Sequence, residues 1–268
     1  MAVQTIADHP MGYAAGAYRA FSMHMVTYRR SWHGSVFSVF LMPILYMVGI
    51  GLGVGQFVDP ASLGGVEYAA FIAPGIIAMV PVNLAANDFI YPVFGGYREW
   101  GSQYLSQRAS PLRPIDILNG HLAYGVLFRA SFACAVVFVP LLFFDVFTSW
   151  WAPAAVPVGV LVSFAVAPWV FTWCSAVEGE YILNVIFRFA IMPVTLFSGV
   201  FFPITQMPPF VQPLAWISPL WHGVELTRLA ATGTEAALPP ALHALYLAAL
   251  GVGGWFCARH IVHKRLEF

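Results

Sequence analysis

Asn83, Asn87, Asp88 and Arg129 stand inside otherwise apolar stretches. Asn83 and Asn87 are one helical turn apart and share a face, with Asp88 beside it. Such a polar stripe faces either a pathway or a partner helix, where an interhelical hydrogen bond is worth about 0.6 kcal/mol on average. Arg129 falls about 15–18 Å into its helix at ~1.5 Å per residue. An intramembrane charge faces protein or water. Two partners suit it: Asp88 on the neighbouring helix, or lipid phosphates reached by snorkelling. His222, Glu225 and Arg228 recur every third residue after Pro219. Two metal ligands can be imagined there but a third is missing. The spacing therefore predicts a salt-bridged cap and no metal. His260 and His263 follow Cys257 among basic residues and read as a topogenic anchor.

The missing motifs exclude several chemistries. A GxxxxGK[ST] phosphate loop is impossible, because Lys264 is the only lysine. No GxSxG, HExxH or repeated CxxC occurs. Cys134, Cys174 and Cys257 are too scattered for a disulfide framework. Glu178, Glu180 and His121 make a poor acid–base set, so no catalytic residue is expected. No acidic cluster shares one helix as a proton relay would require. If the chain transports, another polypeptide supplies the energy, and the chain binds no cofactor of its own.

These residues must be positioned by helices in lipid. Of 268 residues, 60% are hydrophobic, 16% aromatic and 9% charged. An ordinary soluble domain is about a quarter charged. Twelve basic and twelve acidic residues cancel, so no net field draws in nucleic acid. Charge-free windows of about 20 residues or more are long enough to cross hydrocarbon as helices and too long for barrel strands. They predict an all-α membrane protein with six transmembrane helices at about 36–57, 68–91, 117–144, 153–176, 181–202 and 238–258. Pro203, Pro208, Pro209, Pro213 and Pro219 break the segment that follows the fifth. Residues 203–228 are therefore expected to form an extracellular re-entrant element before the last span, covered by protein or lining a cavity.

Basic residues orient the spans. Arg19, Arg29, Arg30, Arg98, Arg108, Arg113, Arg259, Lys264 and Arg265 fall on one side, while only Arg228 is basic in the opposite loops. Both termini are thus expected in the cytoplasm. The start carries no basic n-region or apolar core of a signal peptide. Tyr18, Phe21, Met25, Tyr28 and Trp32 recur at spacings of three and four, with Arg29 and Arg30 mostly off that face. The pattern predicts an amphipathic helix at 12–33 lying in the cytoplasmic interface against membrane lipids. A solvated helix capping the bundle is the other reading.

Several fragments together resemble the membrane (permease) component of type-2 ABC exporters, in the subgroup of nodulation lipo-chitooligosaccharide exporters and drug-resistance permeases. Arg29, Arg30 and Trp32 precede a first span reading Pro43-Ile44-Leu45-Tyr46 and ending in Gly49, Gly51, Gly53 and Gly55. The second opens Glu67-Tyr68, then Phe71-Ile72-Ala73-Pro74-Gly75-Ile76. Ser110-Pro111-Leu112 and Asp116-Ile117 follow. Phe197-Ser198-Gly199-Val200-Phe201-Phe202-Pro203 and Ser218-Pro219-Leu220-Trp221-His222-Gly223-Val224-Glu225 stand late in the chain. In order and spacing they cover nearly the whole sequence. The resemblance implies one domain over 1–268, two permease copies as homodimer or heterodimer, and two separate ABC ATPase subunits carrying ATP and Mg. It implies a bacterial plasma membrane location and a cytoplasmic coupling element between spans two and three.

That element is expected in the loop 98–116, through Arg98, Glu99, Tyr104, Leu105, Arg108, Pro111 and Arg113. Its charges would steer a partner, and Tyr104 and Leu105 would serve as buried anchors. The glycine row from Gly49 to Gly55 leaves one helix face nearly bare. It marks a dimer seam, an outer gate or a point of unwinding. The function expected is ATP-driven export of an amphiphile: a glycolipid, a polysaccharide-lipid or a hydrophobic drug. An integral-membrane lipid enzyme and a non-transporting scaffold are the alternatives.

Overall fold

In the computed structural model, residues 12–98 and 103–266 are described. They are mostly helical, joined by turns and short loops, with no strand among the described residues. Helix α1 runs through 13–57, its outer part wound more loosely over Met47–Val54. A short turn at Pro60–Leu63 leads to α2 (Tyr68–Gly96). Then follow α3 (Gln103–Arg108), α4 (Pro114–Phe144), α5 (Ala155–Ala176) and α6 (Tyr181–Phe197). The chain closes with α7 (Gln212–Ile217), α8 (Pro219–Thr232) and α9 (Pro240–Leu266).

Helix α2 is the central post. It is buried along most of its length, although it contains Pro74, Pro81 and Pro92. Each proline removes an amide donor and leaves a carbonyl one turn back unpaired. At Pro81 a neighbouring helix makes good the loss. The thiol of Cys134 on α4 lies 3.9 Å from the carbonyl of Ile77, which Pro81 frees. Glycines set the spacing of the helices around this post. A Cβ on Gly159 of α5 would stand 2.4 Å from Cys134 Sγ, and one on Gly223 of α8 would stand 2.3 Å from Val162. Helix α5 packs between α2 and α9, α8 fits against all three, and α1 lies along α4.

Two boundaries differ from the sequence expectation. No break separates the 12–33 segment from the first span. Helix continues through His33, Gly34 and Ser35, giving 44 residues over Ala14–Phe57 or about 66 Å. Only part of that length fits an apolar layer of about 30 Å. The fifth expected span, 181–202, is helical only over the 17 residues of Tyr181–Phe197. Ser198 leaves the helix and Gly199 adopts φ +75°, a left-handed turn that ends it before Pro203. Among the described residues, five helices remain that are long and apolar enough to cross a membrane, with α6 as a shorter sixth.

Candidate functional site

A cavity of about 590 Å³ opens between α1 and α2, with α4 at one end. Its apolar wall includes Val39, Met42, Pro43 and Tyr46 of α1 and Met79 of α2. Its polar groups include the sequence-selected set, Asn83, Asn87, Asp88 and Arg129, together with Ser35 of α1. The amides of Asn87 and Asn83 donate one turn back along α2, to Asn83 O at 3.0 Å and Met79 O at 3.4 Å. Both therefore border the cavity while tied to their own helix. Arg129 Nε lies 3.0 Å from Asp88 Oδ2, joining α4 to α2. The guanidinium also sits 4.8 Å from the ring of Tyr28 on α1. Three helices thus meet at one compensated charge pair. A cavity this size is typical of a ligand site, with apolar walls and a few placed polar groups.

Below the pair, the loop between α2 and α4 is folded against the bundle. Arg98 donates to the carbonyl of Glu178 in the α5–α6 turn and lies 4.7 Å from the Phe94 ring. Asp116 caps the start of α4: its Oδ2 accepts from the Arg113 backbone N–H at 3.1 Å and from Arg113 Nε at 3.0 Å. Pro111 is exposed between α3 and α4. Leu105 and Arg108 belong to α3, but their side chains are not among those described, and Glu99 lies outside the described residues.

Tyr104 requires a correction. Expected as an anchor for a partner, it is 0% exposed within its own chain. Its ring occupies the space over Gly96, where a Cβ would stand 2.7 Å away, and its hydroxyl bonds His121 Nδ1. Burial raises the Tyr104 phenol well above its usual range and pushes that of neighbouring Tyr97 up to about 12. Both stay protonated; Tyr104 donates to His121, and Tyr97 accepts from the Ser175 hydroxyl at 3.4 Å. Tyr104 ties α3 to α4 and presents nothing to a partner.

The aromatic face of the 12–33 segment also turns inward. Phe21 and Tyr28 contact Tyr124 and Phe128 of α4 edge to face. Met25 is half-buried. Tyr18 and Trp32 are exposed, as are Arg29 and Arg30. The centre of the stripe packs on protein, and only its two ends are open to lipid or water.

The late ladder divides. Arg228 Nη1 lies 3.4 Å from Glu225 Oε1, and Arg228 also donates to Gly199 O at 3.0 Å. His222 takes no part in that pair. Its Nδ1 lies 2.8 Å from Nδ1 of His243 on α9, and its Nε2 lies 3.1 Å from Trp216 O. The two clusters fasten α8 to the segment before it and to the last helix. No group of three or more metal-ligating residues occurs among the described residues. His243 and Gly199 were missed as anchors in the sequence. The left-handed turn at Gly199 could have been suspected from Ser198-Gly199 just before Phe201-Phe202-Pro203.

Fold and site define a protein whose described residues form a bundle of helices, several long and apolar enough to cross a membrane, with a cavity between α1 and α2. Comparison with known proteins places it further: the ABC-2 type transporter family matches residues 18–231, and the chain belongs to that family. It is 31% identical over 191 residues to a Nodulation protein J of Rhizobium leguminosarum bv. trifolii, covering 69% of this chain and 70% of that one. Against Nodulation protein J of Sinorhizobium fredii it is 28% identical over 228 residues, 84% of each. It is 24% identical over 200 residues to the inner membrane transport permease YadH of Escherichia coli, covering 72% and 73%. The chain is a type-2 ABC permease, a bacterial membrane subunit of a transporter and not itself an ATPase.

Proposed function

We propose that this chain is the permease half of an exporter that carries an amphiphile (glycolipid, polysaccharide-lipid or hydrophobic drug) out across the bacterial plasma membrane. The cavity between α1 and α2 carries the reading: apolar walls suit an acyl or aromatic body, and Asn83 and Asn87 suit a polar head. Two copies of the chain, as homodimer or heterodimer, stand on two ABC ATPase subunits that hold ATP and Mg. The 98–116 segment docks on the ATPase, with its charged residues steering the encounter. The chain crosses six times, with α6 as the short crossing, α8 within a re-entrant 203–228 segment and both termini in the cytoplasm. The exposed ends of the 12–33 face, Tyr18 and Trp32, rest among interfacial lipids.

Reconstitution tests this reading. The chain and a candidate ABC ATPase subunit from the same organism are placed in liposomes holding a fluorescent amphiphile in one leaflet. ATP-dependent transfer is expected, and charge reversal at Arg98 should reduce ATPase co-purification while membrane insertion is unchanged. Transfer that proceeds equally without ATP or without the ATPase would sink the proposal.

A further inference from the structure

Pro92 has no amide hydrogen, so the carbonyl of Asp88, one turn back on α2, loses its helical donor. His121 of α4 replaces it: Nε2 lies 3.1 Å from Asp88 O. A carbonyl only accepts, so Nε2 carries the proton. In the neutral ring Nδ1 is then the acceptor, and the Tyr104 hydroxyl of α3 donates to it. The imidazole is held on both faces, by Phe89 at 4.8 Å and His24 at 4.1 Å between ring centres. Asp88 is also the residue whose carboxylate holds Arg129 at the cavity. One unbroken set of contacts therefore runs from α3, beneath the bundle, through His121 to the proline break in α2 and on to the charge pair.

We infer that His121 is a positioning residue that passes movement of α3 to the Pro92 hinge of α2, and so sets the Asp88–Arg129 pair and the width of the cavity. The inference rests on the reading that a separate ATPase acts on the 98–116 segment. A proline hinge is a natural place for such a movement, because the missing hydrogen bond lets the two halves of a helix tilt. A relay of packed rings and hydrogen bonds has two discrete arrangements rather than a continuous range. His121 fixes one of them for as long as Tyr104 holds its Nδ1.

The test uses the reconstituted complex. Ser35, on the cavity wall, is replaced by cysteine in a Cys257→Ser background; Cys134 and Cys174 are buried. The rate of labelling by a fluorescent maleimide is read with and without ATP plus vanadate. In the background protein the two rates should differ several-fold. Tyr104→Phe keeps the ring over Gly96 but removes the donor, and should bring the ratio of rates toward one. Ser62→Ala, exposed in the turn between α1 and α2 and away from both the cavity and the docking segment, should leave the ratio as in the background. A folded Tyr104→Phe protein that keeps the full ratio overturns the relay. So does one that loses the ATPase altogether, since Tyr104 would then act at docking. If the background itself labels equally in both nucleotide states, the ATPase reading fails and the relay falls with it.

Discussion

The pair of Asp88 and Arg129 is the costliest feature of the chain to build and the easiest to damage. Each charge loses its water on folding, and the 3.0 Å contact with its partner offsets the loss. Removing one partner strands the other in an apolar site. Arg129→Met should therefore destabilise the folded chain by about 3–5 kcal/mol. Asp88→Asn combined with Arg129→Met should recover most of that, because no charge is then left alone. Thermal unfolding of both variants in detergent measures the difference. If the single and double variants melt together, the pair is not coupled as its geometry requires. The pair was legible in the sequence because charges are so scarce there that two on adjacent spans have few other partners. His121 was not legible as part of it. A histidine in an apolar run gives no sign of which carbonyl it meets, and only the proline four residues after Asp88 hinted that this carbonyl would need a donor. Tyr104 was misread for a related reason: an aromatic in a charged loop looks like a contact surface until the glycine it rests on, Gly96, is placed beneath it.

Among the helices, close approach decides which glycines matter. The start of α1 crosses the start of α4 at Gly16 and Ala20 against Asp116 and Gly120. A Cβ on Gly120 would meet Ala20 Cβ at 2.4 Å and the backbone of Ala17 and Phe21 at 2.7 Å. Backbone cannot step aside as a side chain can, so Gly120→Ala should cost about 1–3 kcal/mol by overpacking. Gly49 has nothing within 4 Å of the added carbon. Gly49→Ala should leave a single chain as stable as before or slightly more stable, because glycine lowers helix stability by roughly 0.5–1 kcal/mol relative to alanine. Melting curves of the two alanine variants check both signs. If Gly49→Ala keeps its stability yet abolishes transfer, the open position at Gly49 serves as a seam or gate; Gly51 and Gly55 of the same row pack on Ile72 and Tyr68 of α2. The helices themselves were readable from their charge-free windows. Their ends were less so. His33, Gly34 and Ser35 lack a proline, and packing on α4 carries the helix straight through them. At the other misplaced end, the five prolines drew attention to residue 203, but the left-handed Gly199 had already turned the chain.

At the scale of the molecule, the question is whether α6 crosses. Seventeen residues reach about 26 Å, short of a layer of about 30 Å. Length alone would leave five crossings and put the two termini on opposite sides. The contacts at the two ends of α6 argue otherwise. Before it, the turn at 177–180 belongs to the end of the bundle where Arg98 meets the Glu178 carbonyl and Arg265 donates to Ala176 O at 3.4 Å. After it, Phe201 O accepts from Tyr68 at 3.0 Å, and Gln206 donates to Ser62 O at 3.2 Å. Thr148 donates to Thr232 O at 3.1 Å at that same far end. A 17-residue helix that joins these two ends is expected to cross, with a locally thinned bilayer or a tucked terminus making up the shortfall at modest cost. The basic residues agree, gathering at the end that holds Arg98 and Arg265. Single cysteines at Ser62, Thr234 and His260, all exposed, read the outcome in a Cys257→Ser background. An impermeant maleimide should label positions 62 and 234 on intact cells, and position 260 only after permeabilisation. Labelling of position 260 from outside, with 234 protected, would mean that α6 does not cross. The last helix would then run the other way, and the 203–228 segment would belong to the cytoplasmic face.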